Sequence, residues 1–347
     1  MAFSSGVAAQ AGFKTESAWG TEIVVDHFVD FNTAEADVDQ RWAEGAGMYA
    51  GGQYRRVNRT IQVTRKGTGS FEADVTTSKF GPLFRQALGS PLATPVLISG
   101  SAYKQVHLTG PQDGLSTTFQ FGIPEVSTGT VKPLALVGTK VADWELSSEV
   151  EGFLTLALGL DAKDMRTLAT TPAANALAAA SYVATTEPFH HHQLVVKIGG
   201  TASTSTGIVS IASGVTVASV VDSVSLSSTN NLAAEGFGTG SMMSREQKSK
   251  RSTTTLTIEA EFNTQAEFYD VFRAGTLVPV QLTWTGSLIA GSNYNMVDVV
   301  IAGAKIKNAP ARLNDDDLAT HSIELEVGYD GTNNPLQITL VNTEVAL

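Results

Sequence analysis

Apolar and polar residues take turns along most of this chain, and a period of two leaves little choice of fold. In TLTIEAEF, Leu256, Ile258, Ala260 and Phe262 share one side, and Thr257, Glu259 and Glu261 share the other. SIELEV sets Ile323, Leu325 and Val327 against Glu324 and Glu326, and LTLALGL and SFEADV behave alike. Successive side chains on a strand point to opposite faces, so these segments are half-buried antiparallel strands, apolar side inward. Helical periodicity is scarce. SKFGPLFRQAL places Phe80, Leu83, Phe84 and Ala87 on one face, with Ser78 as an expected N-cap and Pro82 in the first turn. TQAEFYDVFRAG places Phe268, Val271 and Phe272 together, with Thr264 and Glu267 at capping-box spacing and Gly275 as a stop.

Both helices belong to a repeat. FEADVTTSKFGPLFRQALG and IEAEFNTQAEFYDVFRAG align from strand into helix, Phe84-Arg85 falling on Phe272-Arg273. Further on, GTKVADWELSSEVEGFLTLALGLDA (138–162) returns as GAKIKNAPARLNDDDLATHSIELEVGYDG (303–331). Two patches recurring in the same order predict a mainly β chain of two tandem domains, each a barrel or sandwich with one short flanking helix. The expected boundaries are 1–165 for the first domain and 190–347 for its repeat. Residues 166–189, rich in Ala, Thr and Pro, read as a connector in which AANALAAA has room for one short helix.

Length agrees with two domains: 347 residues are enough for two cores. The net charge of −11 argues against a tight grip on nucleic acid, which needs clustered Lys and Arg on phosphates. With no cysteine, disulfides and thiolate metal sites are excluded. The opening MAFSSGVAAQAGFKTESAWG lacks a basic region and an unbroken apolar run, so no signal peptide is expected. No apolar stretch approaches the ~18 residues of a membrane span, and no membrane association is expected.

A search for catalytic chemistry returns no constellation, and no enzyme activity, cofactor or metal is expected. Gly45-Ala46-Gly47-Met48-Tyr49-Ala50 satisfies G-x-G-x-x-A, but it follows DQRWAE rather than an apolar strand and reads as a glycine loop, not a dinucleotide site. The histidines are His27, His107, His190 to His192 and His321. Three consecutive histidines alternate sides in an extended chain, so at most two reach one metal, and a solvated or interface strand is the plainer reading. Asp315-Asp316-Asp317 lacks the spaced oxygens and turn glycine of a calcium loop and reads as a polar loop or an intersubunit acidic patch.

Basic residues gather in QYRRVNRTIQVTRK, with Arg55, Arg56 and Arg59, and in SREQKSKR, with Lys248, Lys250 and Arg251. Each cluster precedes a copy of the repeated strand. They are either ordinary solvated charges or a subunit contact made equivalently by both halves. Residues 32–56 read as an irregular region too long for an ordinary loop, and it carries Trp42, Met48 and Tyr49, which favour burial.

The segments AGFKTESAWGTEI, AGGQYRR, EPFHHHQLVVKIGG and VVDSVSLSSTNNL resemble the major tail tube proteins of long-tailed, siphovirus-type bacteriophages, over nearly the whole chain. The resemblance implies a structural virion protein that self-assembles into stacked rings forming the tail tube, through which DNA is ejected without being held. It implies no catalytic residues. Partners would be further copies of the chain, with a three-chain pseudo-sixfold ring favoured over six chains, and other tail proteins such as the tape measure and tail terminator. Localisation would be the virion tail, assembled in the host cytoplasm. On this reading Trp42, Met48, Tyr49, Arg55, Arg56, Arg59, Lys248, Lys250 and Arg251 are candidate interface residues, with Asp315, Asp316 and Asp317 as acidic partners. Glu259, Glu261, Glu324 and Glu326 are candidates for the lumen. A secreted or surface carbohydrate-binding or adhesin β protein, or another tail or baseplate ring component, remains an alternative.

Overall fold

The computed structural model describes residues 6–47, 52–54, 56–90, 94–167, 176–233, 236–313 and 319–347. In chain order come β1 (Gln10–Thr15), β2 (His27–Phe28), β3 (Thr33–Glu44), β4 (Thr60–Asp74), helix α1 (Gly81–Leu88), β5 (Val96–Ser99) and β6 (Ala102–Leu108). β7 (Thr117–Pro124), β8 (Val131–Glu149), β9 (Thr155–Ala162) and β10 (Asp164–Thr167) follow. The second half carries β11 (Leu194–Ile198), β12 (Thr201–Ser205), β13 (Ile208–Ala212), β14 (Val215–Thr216), β15 (Val221–Thr229) and β16 (Thr253–Glu261). It ends with α2 (Tyr269–Ala274), β17 (Val278–Ala290), β18 (Asn293–Asn308), β19 (Ala311–Arg312), β20 (Thr320–Val327) and β21 (Leu336–Asn342).

The protein is mainly β, in large antiparallel sheets, as the alternation requires. Two strands organise it. The first part of β8 pairs with β7 and β10, and its second part with β9 and β15. The change of layer falls at a register shift beside Gly138, whose φ of +66° only glycine adopts cheaply. β18 behaves the same way: it leaves β17 and β21 across a register shift, and its last residues join β20.

One layer is therefore a single antiparallel sheet of eight strands in the order β3-β4-β9-β8-β15-β16-β20-β18, its middle junction lying between strands of the two halves. The second layer holds β2-β1-β7-β8-β10 and β14-β11-β17-β18-β21-β6-β5. Here too the halves meet, because the β5–β6 hairpin of the first pairs with β21 of the second.

Between the layers lies one continuous apolar core, including Phe13, Phe71, Phe119, Trp144, Leu158, Leu256, Trp284 and Leu325. α1 buries Phe80, Leu83 and Phe84 and stops at Gly89 in the left-handed conformation, as α2 stops at Gly275. The expected N-caps are not made. Phe80 and Phe268 hold the cap positions without side-chain bonds. The Glu267 carboxylate is drawn instead to the Ala218 N–H and the Ser219 hydroxyl. At α2 tertiary bonds have outcompeted the local one, and at α1 the helix starts two residues past Ser78. Thr33–Glu44, read from sequence as irregular, is a twelve-residue strand. The described connector, 176–189, contains no helix; it lies along the first half, Ala178 bonding Gln120 and Phe189 bonding Val75.

The segment between β15 and β16 crosses back onto the first half. There the Lys140 ammonium, 2% exposed, donates to Glu246 at 2.9 Å and to the carbonyls of Gln112 and Gln247. Asp161 takes Lys66 at 3.1 Å and Gln247 at 3.2 Å. Burial pushes the Lys140 pKa down despite Glu246. Burial alone would raise the Glu246 pKa, but the Gly114 N–H, Lys140 and Lys248 outweigh it and hold it at about 2. His107, buried against Phe84, is pushed down to about 3 by burial and then by Arg85.

Acid should therefore act in two stages. The unfolded chain takes up a proton at histidine near 6.5 while folded His107 resists to about 3, so stability falls as pH drops through that window. Glu246, with an ordinary carboxyl value of 4.5 and a folded value of about 2, adds stability above 4.5 that is lost between the two. Melting temperature against pH should show the first stage flattened in His107→Leu and the second in Glu246→Gln. Phe84→Ala, at a fully buried site, should cost about 3–5 kcal/mol by denaturant titration.

Candidate assembly surfaces

The eight-stranded sheet has one apolar and one polar face. Cross-strand register builds the polar face row by row. One row runs Thr33, Glu72, Ala157, Glu145, Ser227, Thr255, Glu326 and Lys305. The next runs Glu35, Ser70, Gly159, Asp143, Thr229 and Thr253. The four lumen candidates fall on it together: Glu259 opposite Ser322, Glu261 opposite Thr320, Glu324 opposite Thr257 and Glu326 opposite Thr255. Lys307 meets Glu326 at 2.6 Å. Apart from a few lysines, among them Lys305 and Lys66, the face is hydroxyls, small residues and carboxylates. It is concave near its middle, where a cavity of about 460 Å³ lies over Ala157 and Gly159. Gly159 has a reason to be glycine: a Cβ there would sit 2.5 Å from an Asp143 oxygen.

The sheet ends in two open edges. β3 pairs with β4 along its whole length and with nothing on its outer side among the described residues. At the far end, β20 is paired on one side with β16 and on the other with the end of β18 and with β19, and beyond Ala304 the outer side of β18 and β19 has no strand partner among the described residues.

β3 and β4 also run on past β9, whose pairing stops at Gly67. Arg65 and Lys66 are still held, by the Met242 carbonyl and by Asp164 and Asp161, so the outer five residues of β4, Thr60 to Thr64, make a two-stranded arm about 16 Å long at ~3.3 Å per residue. Trp42 is 56% exposed on it, and Ile61, Val63, Tyr54 and Val57 are exposed as well. A two-stranded ribbon with this much bare apolar surface calls for a partner.

The basic candidates separate. Arg56 caps and Arg59 ends the short turn Val57–Arg59 that leads into β4, Arg59 lying against Gly45 and Gly47. Gly45 is thereby part of a hairpin, not of a dinucleotide loop. Lys248 is engaged within its own chain, 3.2 Å from Glu246 and 3.7 Å from Asp113. Lys250 and Arg251 line a cavity of about 660 Å³ with Tyr329 and Thr109. Met48, Tyr49, Arg55 and Asp315 to Asp317 lie outside the described residues.

The histidines do not converge. His190 and His192 stack on each other at 3.6 Å, His191 bonds Ser148 and the Val221 carbonyl, and His321 stacks on Phe262. Among the described residues no three His, Asp or Glu side chains are grouped to hold a metal. No helix of the described residues is long and apolar enough to cross a membrane.

Sequence reasoning missed the arm and both edges. The signal for β3 was present, because Ala34, Ala36 and Val38 alternate with Glu35, Asp37 and Asp39. Three carboxylates in five residues masked it.

Fold and surfaces define a class: a two-layer β protein whose main sheet stops at open edges and whose polar face is rich in carboxylates and hydroxyls. Residues 6–328 match the sequence model of the phage tail tube protein family, and the chain belongs to that family. It is a structural component of a phage tail tube. No curated protein matches it.

Proposed function

We propose that this chain polymerises into rings of three copies, that the rings stack into the tube of a long-tailed, siphovirus-type phage tail, and that the carboxylate-rich face lines the bore through which DNA is ejected. The observation that carries this reading is the eight-stranded sheet, to which each half contributes four strands side by side. A second domain hung outside a six-chain ring would not share its sheet with the first. Three chains bring about 24 strands, which at about 4.8 Å apart give a circumference near 115 Å. A strand tilt of roughly 35–45° widens the barrel to about 45–50 Å between backbones, a bore that takes one duplex with its side chains and water. Six chains would double it.

The same reading makes the chain two copies of one domain, 1–165 and 190–347, joined by the connector 166–189. What supports it is parallel pairing: β1, β7, β8, β9 and β10 are linked to one another as β11, β17, β18, β20 and β21 are. On this view the chain has no enzymatic role, is assembled in the host cytoplasm, and meets the tape measure and tail terminator proteins at the bore and the tube end. The arm, with Trp42, Arg56 and Arg59, reaches the adjoining ring. The segment Asp315 to Asp317 is its candidate acidic counterpart, and Lys250 and Arg251 belong to the equivalent contact made by the second half.

The mass of isolated rings tests the stoichiometry: about three times 36.5 kDa is expected, and six times overturns it. Trp42→Ser with Ile61→Ser should leave the melting temperature nearly unchanged, since both are exposed, and should abolish tubes in negative-stain images. Full-length tubes from that variant would remove the arm from the interface. A smooth passage needs a wall that does not condense counterion-releasing contacts with phosphates. Tubes carrying Glu259→Lys, Glu261→Lys, Glu324→Lys and Glu326→Lys should retain duplex DNA in low salt and release it as salt rises, whereas parent tubes should not retain it. Equal behaviour would place that face outside the bore.

A further inference from the structure

Within the eight-stranded sheet the chain already makes a junction between its halves, β15 on β8, and the two open edges carry the two sides of the same junction. We infer that β3 of one copy pairs antiparallel with the β18–β19 edge of the next, in the register that joins β15 to β8. The inference rests on the ring reading above and specifies its contact.

The two sides of the internal junction recur at the free edges. Val224 lies opposite Ile258 on β16, and Ala34 lies opposite Phe71 on β4, so β3 stands where β15 stands, 190 residues earlier. On the other side, Val141 faces Leu160, a register shift follows, Asp143 faces Gly159 and Ser147 faces Thr155. With 165 added throughout, Ile306 faces Leu325, the same shift follows, Asn308 faces Glu324 and Arg312 faces Thr320. Within the chain, Thr229 pairs with Asp143 and Ser225 with Ser147. Transposed, Asp39 of one copy lies opposite Asn308 of the next, and Glu35 opposite Arg312.

Backbone polarity agrees. The internal junction is bracketed by bonds from Asn230 N–H to the Ala142 carbonyl and from Val150 N–H to the Asp222 carbonyl. Antiparallel bonding alternates, so between them it is Trp144, Leu146 and Ser148 whose backbone turns toward β15. Their counterparts on the free edge are Ala309, Ala311 and Leu313, which keep both backbone groups. Pro310, which lacks an N–H, corresponds to Glu145 and turns toward β20, where the pairing is in fact interrupted between Asn308 and Ala311. The proline therefore does not block the edge. β3, for its part, carries none of the prolines or lysines that blunt a strand meant to stay single.

The side chains fit a second copy. Glu35 and Arg312 are both exposed in the single chain and become a cross-strand pair of opposite sign. Asp39–Asn308 and Glu35–Arg312 are the non-hydrogen-bonded positions, where Cα atoms approach to about 4.5 Å.

Cysteine cross-linking tests this without background, since the chain has no cysteine. In oxidised rings, Asp39→Cys with Asn308→Cys should give covalent dimers and a closed covalent ring on denaturing gels. The slipped pairs Asp37→Cys with Asn308→Cys and Asp39→Cys with Arg312→Cys should give at least tenfold less. Rings that form but link through a slipped pair, or through none, overturn the register while leaving the ring reading intact. A parent chain that forms no rings overturns both. Independently of disulfide geometry, Glu35→Arg and Arg312→Glu should each reduce ring yield severalfold, and together restore it; failure of the double variant to recover while staying folded also counts against the pairing.

Discussion

Everything in this protein depends on where backbone hydrogen bonds go when a strand changes layers. β8 is nineteen residues long because it serves two sheets, and its second part has a partner on each side only because β15 of the other half supplies one. Without that pairing the first half would end in a bare edge in the middle of the molecule, and the core beneath Trp144 and Leu146 would lose its cover. The eight-stranded sheet, the common polar face and the position of both terminal edges all follow from it.

The latch around Lys140 makes that junction a commitment. An ammonium taken almost wholly out of water is costly unless its partners are all in place. Here two carbonyls and Glu246 supply them, and two of the three lie in the segment that follows β15. Sheet pairing and the buried ion pair thus report on each other: if β15 leaves β8, the segment after it withdraws and Lys140 is left buried with one partner. The halves are in this sense one cooperative unit, although their sequences read as two.

How much of this was legible beforehand follows a physical line. Period-two alternation gave the strands, the inward residues and the face on which Glu259, Glu261, Glu324 and Glu326 lie, because burial against a core writes itself into composition. Gly275 could be read as a helix end because a left-handed residue is a local requirement, and Gly89 plays the same part in α1. Partner choice left no such mark. Nothing in Val221–Thr229 distinguishes a strand flanked by β8 from one at an edge, since side chains record which face is wet and not which neighbour holds the backbone. β3 failed for the opposite reason: as an edge strand with one solvated face it carries so many carboxylates that its half-buried Ala34, Ala36 and Val38 were outvoted. The capping box expected at Thr264 failed because the Glu267 carboxylate has better-placed tertiary partners, to which a local hydrogen bond of ~1 kcal/mol yields, whereas the cap expected at Ser78 failed because the helix starts two residues later, at Phe80.

The divergence between the two halves also has a physical reading on the proposed duplication. The internal junction is tethered, so its effective concentration is high and it forms once, with the fold. It can use a buried lysine, because Lys140 is never without partners in the folded chain. The edge between copies must exist open before a neighbour arrives. There the counterpart of Lys140 is Lys305, and it is exposed, so the single chain carries no stranded charge. Asn308 and Ala309 replace Asp143 and Trp144, trading an acid for an exposed neutral amide and a large apolar ring for a methyl that the single chain still keeps buried. A surface that waits for its partner must be stable alone, and the second half has lost from its edge the residues that would make waiting expensive.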